Sequence, residues 1–252
     1  MTVAILVRRA QARPGQPDDD VALGPCERGA LTVGLSLAHE LGADAVAIAV
    51  GPARREDKVL AMALRAGCAR AVRISGEGID DLDYLGVAEI VAAAVKKLGA
   101  DVVVAGDRSV DERLGALAPA TAELLGLAHV TGVRGARVEG AALDVDHHAA
   151  GRIVTLRLPR PLVLGVCAPP SRGVEAPSAP APSPAAQAIV AWEFEDLGLD
   201  PRRLAPRKAL AGRLRPLRGA RQATILGSAA ELVERLRAEH VLPTPAPPEP
   251  SS

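Results

Sequence analysis

Four strand-like runs, each followed by a segment with one apolar helical face, constrain this chain more than any other feature. AILV (4–7), DAVAIAVG (44–51) and DVVVAG (101–106) show little polar alternation, and RAVRI (70–74) reads as the strand between the last two. Strands read this way when both faces are buried, as in parallel sheets covered by helices on both sides. ERGALTVGLSLAHELG predicts a helix stopped by Gly42, and REDKVLAMALRAG a second. Tyr84, Val87, Ala88, Val91, Ala94, Val95 and Leu98 recur at spacings of three and four, one face of a third. After Gly106 a short polar loop leads into a fourth, with a face of Leu114, Leu117, Thr121, Leu124 and Leu125. The expectation is a doubly wound α/β fold with right-handed crossovers.

From about Val130 the pattern changes. VTGVRGARVEG, AALDVDHH, RIVTLRLPR and PLVLGV are short β-like runs with Gly or Pro between them, expected as an antiparallel addition to the sheet. Residues 1–167 are therefore taken as one α/β nucleotide-binding domain. The stretch 168–188 is Pro/Ala/Ser-rich and expected to be extended and mobile. Residues 189–242 read as a C-terminal arm and helix for partner contact, with Ser228 and Glu231 forming a capping box. Trp192 and Phe194 are expected to leave the sheet and anchor on a partner, against the alternative that they fold back onto their own sheet. The tail 243–252 has the composition of a disordered segment.

Composition excludes several classes. Thirty basic and thirty acidic residues give a formal charge of zero, which argues against a non-specific nucleic-acid binder. No apolar run approaches the roughly 20 residues of a membrane span, and the N-terminus lacks the charge order of a signal peptide, so the expectation is a cytoplasmic protein without membrane insertion. Cys26, Cys68 and Cys167 are scattered, with no metal-ligand spacing. His147 and His148 are adjacent on a strand and point to opposite faces, so they do not share a metal. There is no P-loop, no G-x-G-x-x-G after the first strand and no G-x-S-x-G elbow. No catalytic constellation or metal site is read, and the chain is expected not to be an enzyme.

One stretch does suggest a ligand. Gly106 ends a buried strand, and free N–H groups at the following helix start favour an anion. Asp111 and Glu112 could instead cap those groups themselves. Ligands on such sheets lie beyond the carboxyl ends of the strands, here near Arg8, Gly51 and the residues from Gly106 to Asp111.

The same stretch, from Val103 through Gly106 and Asp111 to Leu124 and Gly126, resembles the beta (small) subunit family of electron transfer flavoprotein. VAILVRR resembles that family's opening strand. GPCE resembles its Asn-Pro segment, AIAVGPA with VLAMALRAGCARAVRI its second strand–helix unit, and FEDLGLD with SAAELVERLRAEHVL its C-terminal elements. The resemblance implies a Rossmann-like, adenine-nucleotide-binding domain with a C-terminal arm, paired as a heterodimer with an alpha subunit. It implies FAD held mainly by that alpha subunit, and AMP in the beta subunit. It further implies electrons taken from flavin dehydrogenases, such as the acyl-CoA dehydrogenases of fatty acid oxidation, and passed to a quinone-linked acceptor. The implied cofactor-binding residues are Leu6, Arg8, Gly24, Val50, Gly51, Gly106, Asp111, Arg113, Gly115, Ala116 and Leu117. Gly24 replaces the family's Asn, Arg113 an Asp, and Gly115-Ala116-Leu117-Ala118 its Asn-Gln-Thr-Gly cradle. AMP, a second FAD and an empty site all remain compatible with that loop. The family's dehydrogenase-docking loop has no counterpart in 168–188. The alternative reading is a stand-alone adenine-nucleotide-binding or regulatory module on the same fold.

Overall fold

The computed structural model describes residues 1–10, 23–109, 113–167, 189–204 and 224–243. The expected mobile segment 168–188 and most of the tail lie outside them. The chain divides into one unit spanning Met1–Leu210 and a second spanning Ala211–Ser252.

In the first unit the order is β1 (Thr2–Leu6), α1 (Pro25–Leu41), β2 (Asp44–Val50), α2 (Ala53–Ala66), β3 (Arg70–Ser75), α3 (Tyr84–Leu98), β4 (Val102–Gly106), α4 (Leu117–Leu125), β5 (Ala128–Glu139), β6 (Ala142–Ala149), β7 (Arg152–Pro159), β8 (Leu162–Val166) and β9 (Ile189–Glu193). The strands form one sheet in the order β7-β6-β5-β8-β4-β1-β2-β3-β9. Neighbours from β5 to β9 along that row are parallel, while β6 and β7 run antiparallel at the other edge. This is the doubly wound, Rossmann-like arrangement, with β1 and β4 adjacent at the point where the connections reverse direction.

Alternate residues of each central strand feed the two cores. Val3, Ile5 and Val7 pack with Leu37, Leu60 and Ala63 of α1 and α2. Ala4 and Leu6 face the other way, with Ile90 and Val91 of α3 and Ala118 and Ala122 of α4. Burial on both sides is why these strands read as unbroken apolar runs. Gly42, Gly99 and Gly126 end α1, α3 and α4 in the left-handed region that glycine adopts without a Cβ penalty.

Three expectations change. PLVLGV is not part of an antiparallel addition: β8 is buried along its length and lies between β4 and β5, parallel to both. β5 likewise joins the parallel row. The fourth helix starts later than its apolar pattern suggests, at Leu117, because Arg113 and Gly115 take positive φ angles of 53° and 65°. Leu114 lies ahead of that helix and is 60% exposed, and the buried stripe of α4 is Ala118, Thr121 and Ala122. Finally, the segment carrying Trp192 and Phe194 does not leave the sheet. Residues 189–193 pair with β3, and Phe194 is buried in the core on the α3 side. The half-buried Trp192 lies under Lys97, whose Nζ is 4.6 Å from the ring centre. Two aromatics next to an open parallel edge gain more by covering their own sheet than by waiting exposed.

The second unit contains α5 (Ala229–Ala238), capped by Ser228, whose hydroxyl accepts from the Glu231 N–H at 3.2 Å.

Candidate functional site

The carboxyl ends of β1, β2 and β4 open into a cleft of about 210 Å³ at the point where the sheet connections reverse. Its floor is Leu6, Val7 and Arg8 from the end of β1, Val50 and Gly51 from the end of β2, and Ala105 and Gly106 from β4. Glu27 of α1, Arg55 and Glu56 of α2, Asp80, Asp83 and Tyr84 ahead of and in α3, and residues 114–117 ahead of and at the start of α4 form much of the wall. Gly106 allows this convergence. A β-carbon there would lie 3.2 Å from the Cys26 Cβ and from the Glu27 nitrogen, so a larger residue would push α1 away.

Charges of both signs line the cleft: Glu27, Glu56, Asp80, Asp83 and Asp107, with Arg8 and Arg55. Several of these carboxylates serve the fold itself. Asp83 caps α3, accepting from the Leu85 and Gly86 N–H groups at 2.9 and 3.3 Å. Asp80 pairs with Arg55. Asp107 accepts from the Gly132 N–H at 3.1 Å and lies 3.4 Å from the Arg108 guanidinium. Burial pushes the Glu56 carboxyl above the usual carboxylate range, and a backbone hydrogen bond from Arg9 and the charges of Arg55, Arg8 and Arg9 pull it back.

The start of α4 also lines the cleft. Its capping residue, Ala116, provides no side-chain cap. First-turn N–H groups have no partner within a helix, so those of Leu117 and Ala118 are the helical donors here, while Pro119 has no N–H. Donors of this kind suit an anion.

Leu6, Arg8, Val50, Gly51, Gly106, Gly115, Ala116 and Leu117, singled out in the sequence, all line this cleft. Gly24 does not: it precedes α1, and its carbonyl accepts from the Arg28 N–H at 3.0 Å. Arg113 is not part of the lining either, and its N–H donates to the Ser109 hydroxyl at 3.2 Å. Asp111 lies outside the described residues. Sequence reading missed the carboxylates of the wall, because Glu27 and Glu56 fall in the first turns of ordinary amphipathic helices. The one signal was Glu56 standing a turn after Gly51-Pro52, at the end of a buried strand.

Elsewhere, His147 and His148 lie on β6 in the antiparallel edge. Among the described residues no cluster of His, Cys, Asp or Glu is arranged to hold a metal, and no helix is long and apolar enough to cross a membrane. Cys26, Cys68 and Cys167 are all free thiols.

A model of the electron transfer flavoprotein domain matches residues 18–197, most of the chain. The chain belongs to this family. Its relatives include proteins named electron transfer flavoprotein subunit beta. The one from Clostridium acetobutylicum is 31% identical over 139 residues, covering 55% of this chain and 52% of that protein. That from Bacillus subtilis is 25% identical over 237 residues, covering 89% and 90%. One from Mycobacterium tuberculosis is 26% identical over 153 residues, covering 58% and 57%. The match thus spans about half the length of the first relative and nine-tenths of the second. At these identities the chain is a divergent member of the electron transfer flavoprotein family on its beta-subunit side.

The residues present fit an adenine nucleotide of the kind this family implies. The start of α4 at Leu117 and the Arg8 guanidinium, both in the lining, offer donors and positive charge to a phosphate. Ile48, Val50, Val87 and Val91 offer apolar wall to a base.

Proposed function

We propose that the chain is the beta subunit of a two-chain electron transfer flavoprotein, paired with an alpha subunit that carries most of the FAD. In this reading electrons arrive from flavin dehydrogenases, such as acyl-CoA dehydrogenases, and leave towards a quinone-linked acceptor. The observation that carries it is the family match across 18–197, laid over a sheet whose switch-point cleft opens onto the start of α4, where the N-cap residue Ala116 has no capping side chain. A flavin supplies the redox chemistry when bound, so this chain needs no acid, base or nucleophile of its own. Its residues would position the complex and hold a nucleotide, AMP or a second FAD. The phosphate would lie against Gly115, Ala116 and Leu117, and the rest against Leu6, Arg8, Val50, Gly51 and Gly106. Within the expected arm 189–242, the residues beyond Leu204 would supply the partner contact.

The test is affinity purification of the tagged full chain from the cells that make it. The expected product is a yellow two-chain complex that releases FAD, with or without AMP, on denaturation. A colourless preparation containing this chain alone would overturn the reading.

A further inference from the structure

Several buried polar atoms of the cleft wall lack a hydrogen-bond partner among the described residues, and the one at a strand end belongs to Glu56. Glu56 is 6% exposed, and its Oε2 is buried without a partner among those residues. Buried polar atoms are nearly always paired, so an orphan oxygen on a residue that lines a cleft marks a missing donor.

The position of the carboxyl narrows what that donor is. Glu56 folds back over Gly51, where a β-carbon would lie 2.8 Å from its Cγ and 2.9 Å from its Oε1. The carboxyl therefore stands at the end of β2, although the residue belongs to α2. In doubly wound folds that carry the glycine fingerprint an acidic group near this strand end meets ribose hydroxyls, and the same chemistry is open to a carboxyl that stands here without it. An ionised carboxylate only accepts hydrogen bonds, so the group it lacks is a donor. Arg8, Arg9 and Arg55 already supply positive charge here, which leaves a neutral donor, a hydroxyl.

We propose that Glu56 is the specificity residue of the cleft, accepting a hydrogen bond from a ribose hydroxyl of a bound adenine ribonucleotide whose phosphate lies at the start of α4. This rests on the nucleotide reading above. AMP and the adenosine half of FAD present the same hydroxyls, so the assignment covers both, and the titrations separate them.

The experiment uses the full chain with any partner it co-purifies with, freed of nucleotide by dialysis. Calorimetric titrations with AMP, 2′-deoxy-AMP, 3′-deoxy-AMP and FAD are run on the native protein, Glu56→Gln and Glu56→Met. A hydrogen bond to a charged group makes the native protein prefer AMP over at least one deoxy analogue by about tenfold or more. Glu56→Met should reduce that preference to about twofold or less, and Glu56→Gln, which keeps an acceptor, should retain part of it. If FAD binds and AMP does not, Glu56→Met should weaken FAD by the same factor of about ten. The Gln variant keeps the shape of the native side chain, and its melting temperature checks that the fold is intact. No preference for AMP in the native protein, or one unchanged in Glu56→Met, overturns the role of Glu56 alone. Failure of every nucleotide to bind overturns the nucleotide reading itself.

Discussion

Removing the ring of Phe194 and adding a methyl at Gly76 should be strongly coupled, although each alone destabilises the chain. Phe194 is 1% exposed, and a β-carbon on Gly76 would fall 2.4, 2.5 and 2.8 Å from its Cδ2, Cε2 and Cγ. Phe194→Ala deletes a large buried side chain and should cost about 3–5 kcal/mol. Gly76→Ala alone forces the ring to shift and should cost about 1–3 kcal/mol. With the ring gone, the same methyl enters vacated space. Gly76 has no positive φ in this structure, so alanine should then be neutral or stabilising by about 0.4–1 kcal/mol through the unfolded chain. The difference is a coupling of about 2 kcal/mol, well beyond the ~0.5 kcal/mol scatter of independent sites. Urea unfolding followed by Trp192, the only tryptophan, reads this corner of the sheet. Additive costs within that scatter would mean that the ring does not lie over Gly76. A Phe194→Ala cost below about 1 kcal/mol would mean that this segment is not part of the core.

Three further outcomes are expected. Gly115→Glu sets a carboxylate at the start of α4 and should lower nucleotide occupancy at least tenfold, with Gly115→Ala controlling for the strain of its positive φ; equal occupancy in the two variants would refute the anion assignment. Glu56 has a raised folded-state pKa, so its cost is absent below the unfolded value of ~4.3 and grows as pH rises through the folded value. In chemical unfolding between pH 4 and 8, Glu56→Gln should gain on the native protein with rising pH, and a constant gap would contradict this. Asp144 shows the opposite sign. It takes hydrogen bonds from Arg157 Nε and Nη2 at 2.7 and 3.0 Å and from Arg137 Nη2 at 2.8 Å, and these hold its carboxyl below the usual range. Its contribution is present above ~3.9 and lost as pH falls through the folded value, so the deficit of Asp144→Asn should shrink in acid.

The parallel core was legible because burial on both faces leaves a local mark: DAVAIAV and DVVVAG admit few other readings. The place of β8 was not, since a run such as PLVLGV records that it is buried but not which strands flank it. The late start of α4 depends on two positive φ angles, and only the one at Gly115 falls on a residue that advertises them. At the cleft, glycines at strand ends were readable from their positions. The carboxylates were not, because nothing local distinguishes Glu56 from a solvated glutamate until the helix is laid against β2. Phe194 was misjudged for a similar reason. Its socket is made by Gly76, more than a hundred residues earlier in the chain, and no local pattern links the two.

The pairing of β9 with β3 bears on how the chain is made. Ser75 and Glu193, bonded across this pair at 3.1 Å, are 118 residues apart. During synthesis β3 emerges long before the strand that covers its outer edge, and contacts of such separation form late. In that interval β3 presents an open row of backbone donors and acceptors, the kind of edge that pairs with other chains. Nascent chains halted before residue 189 should therefore self-associate, while those halted after residue 204 should not. The last stretch of this unit then acts as a built-in guard, protecting the sheet from its own kind only once translation has passed it.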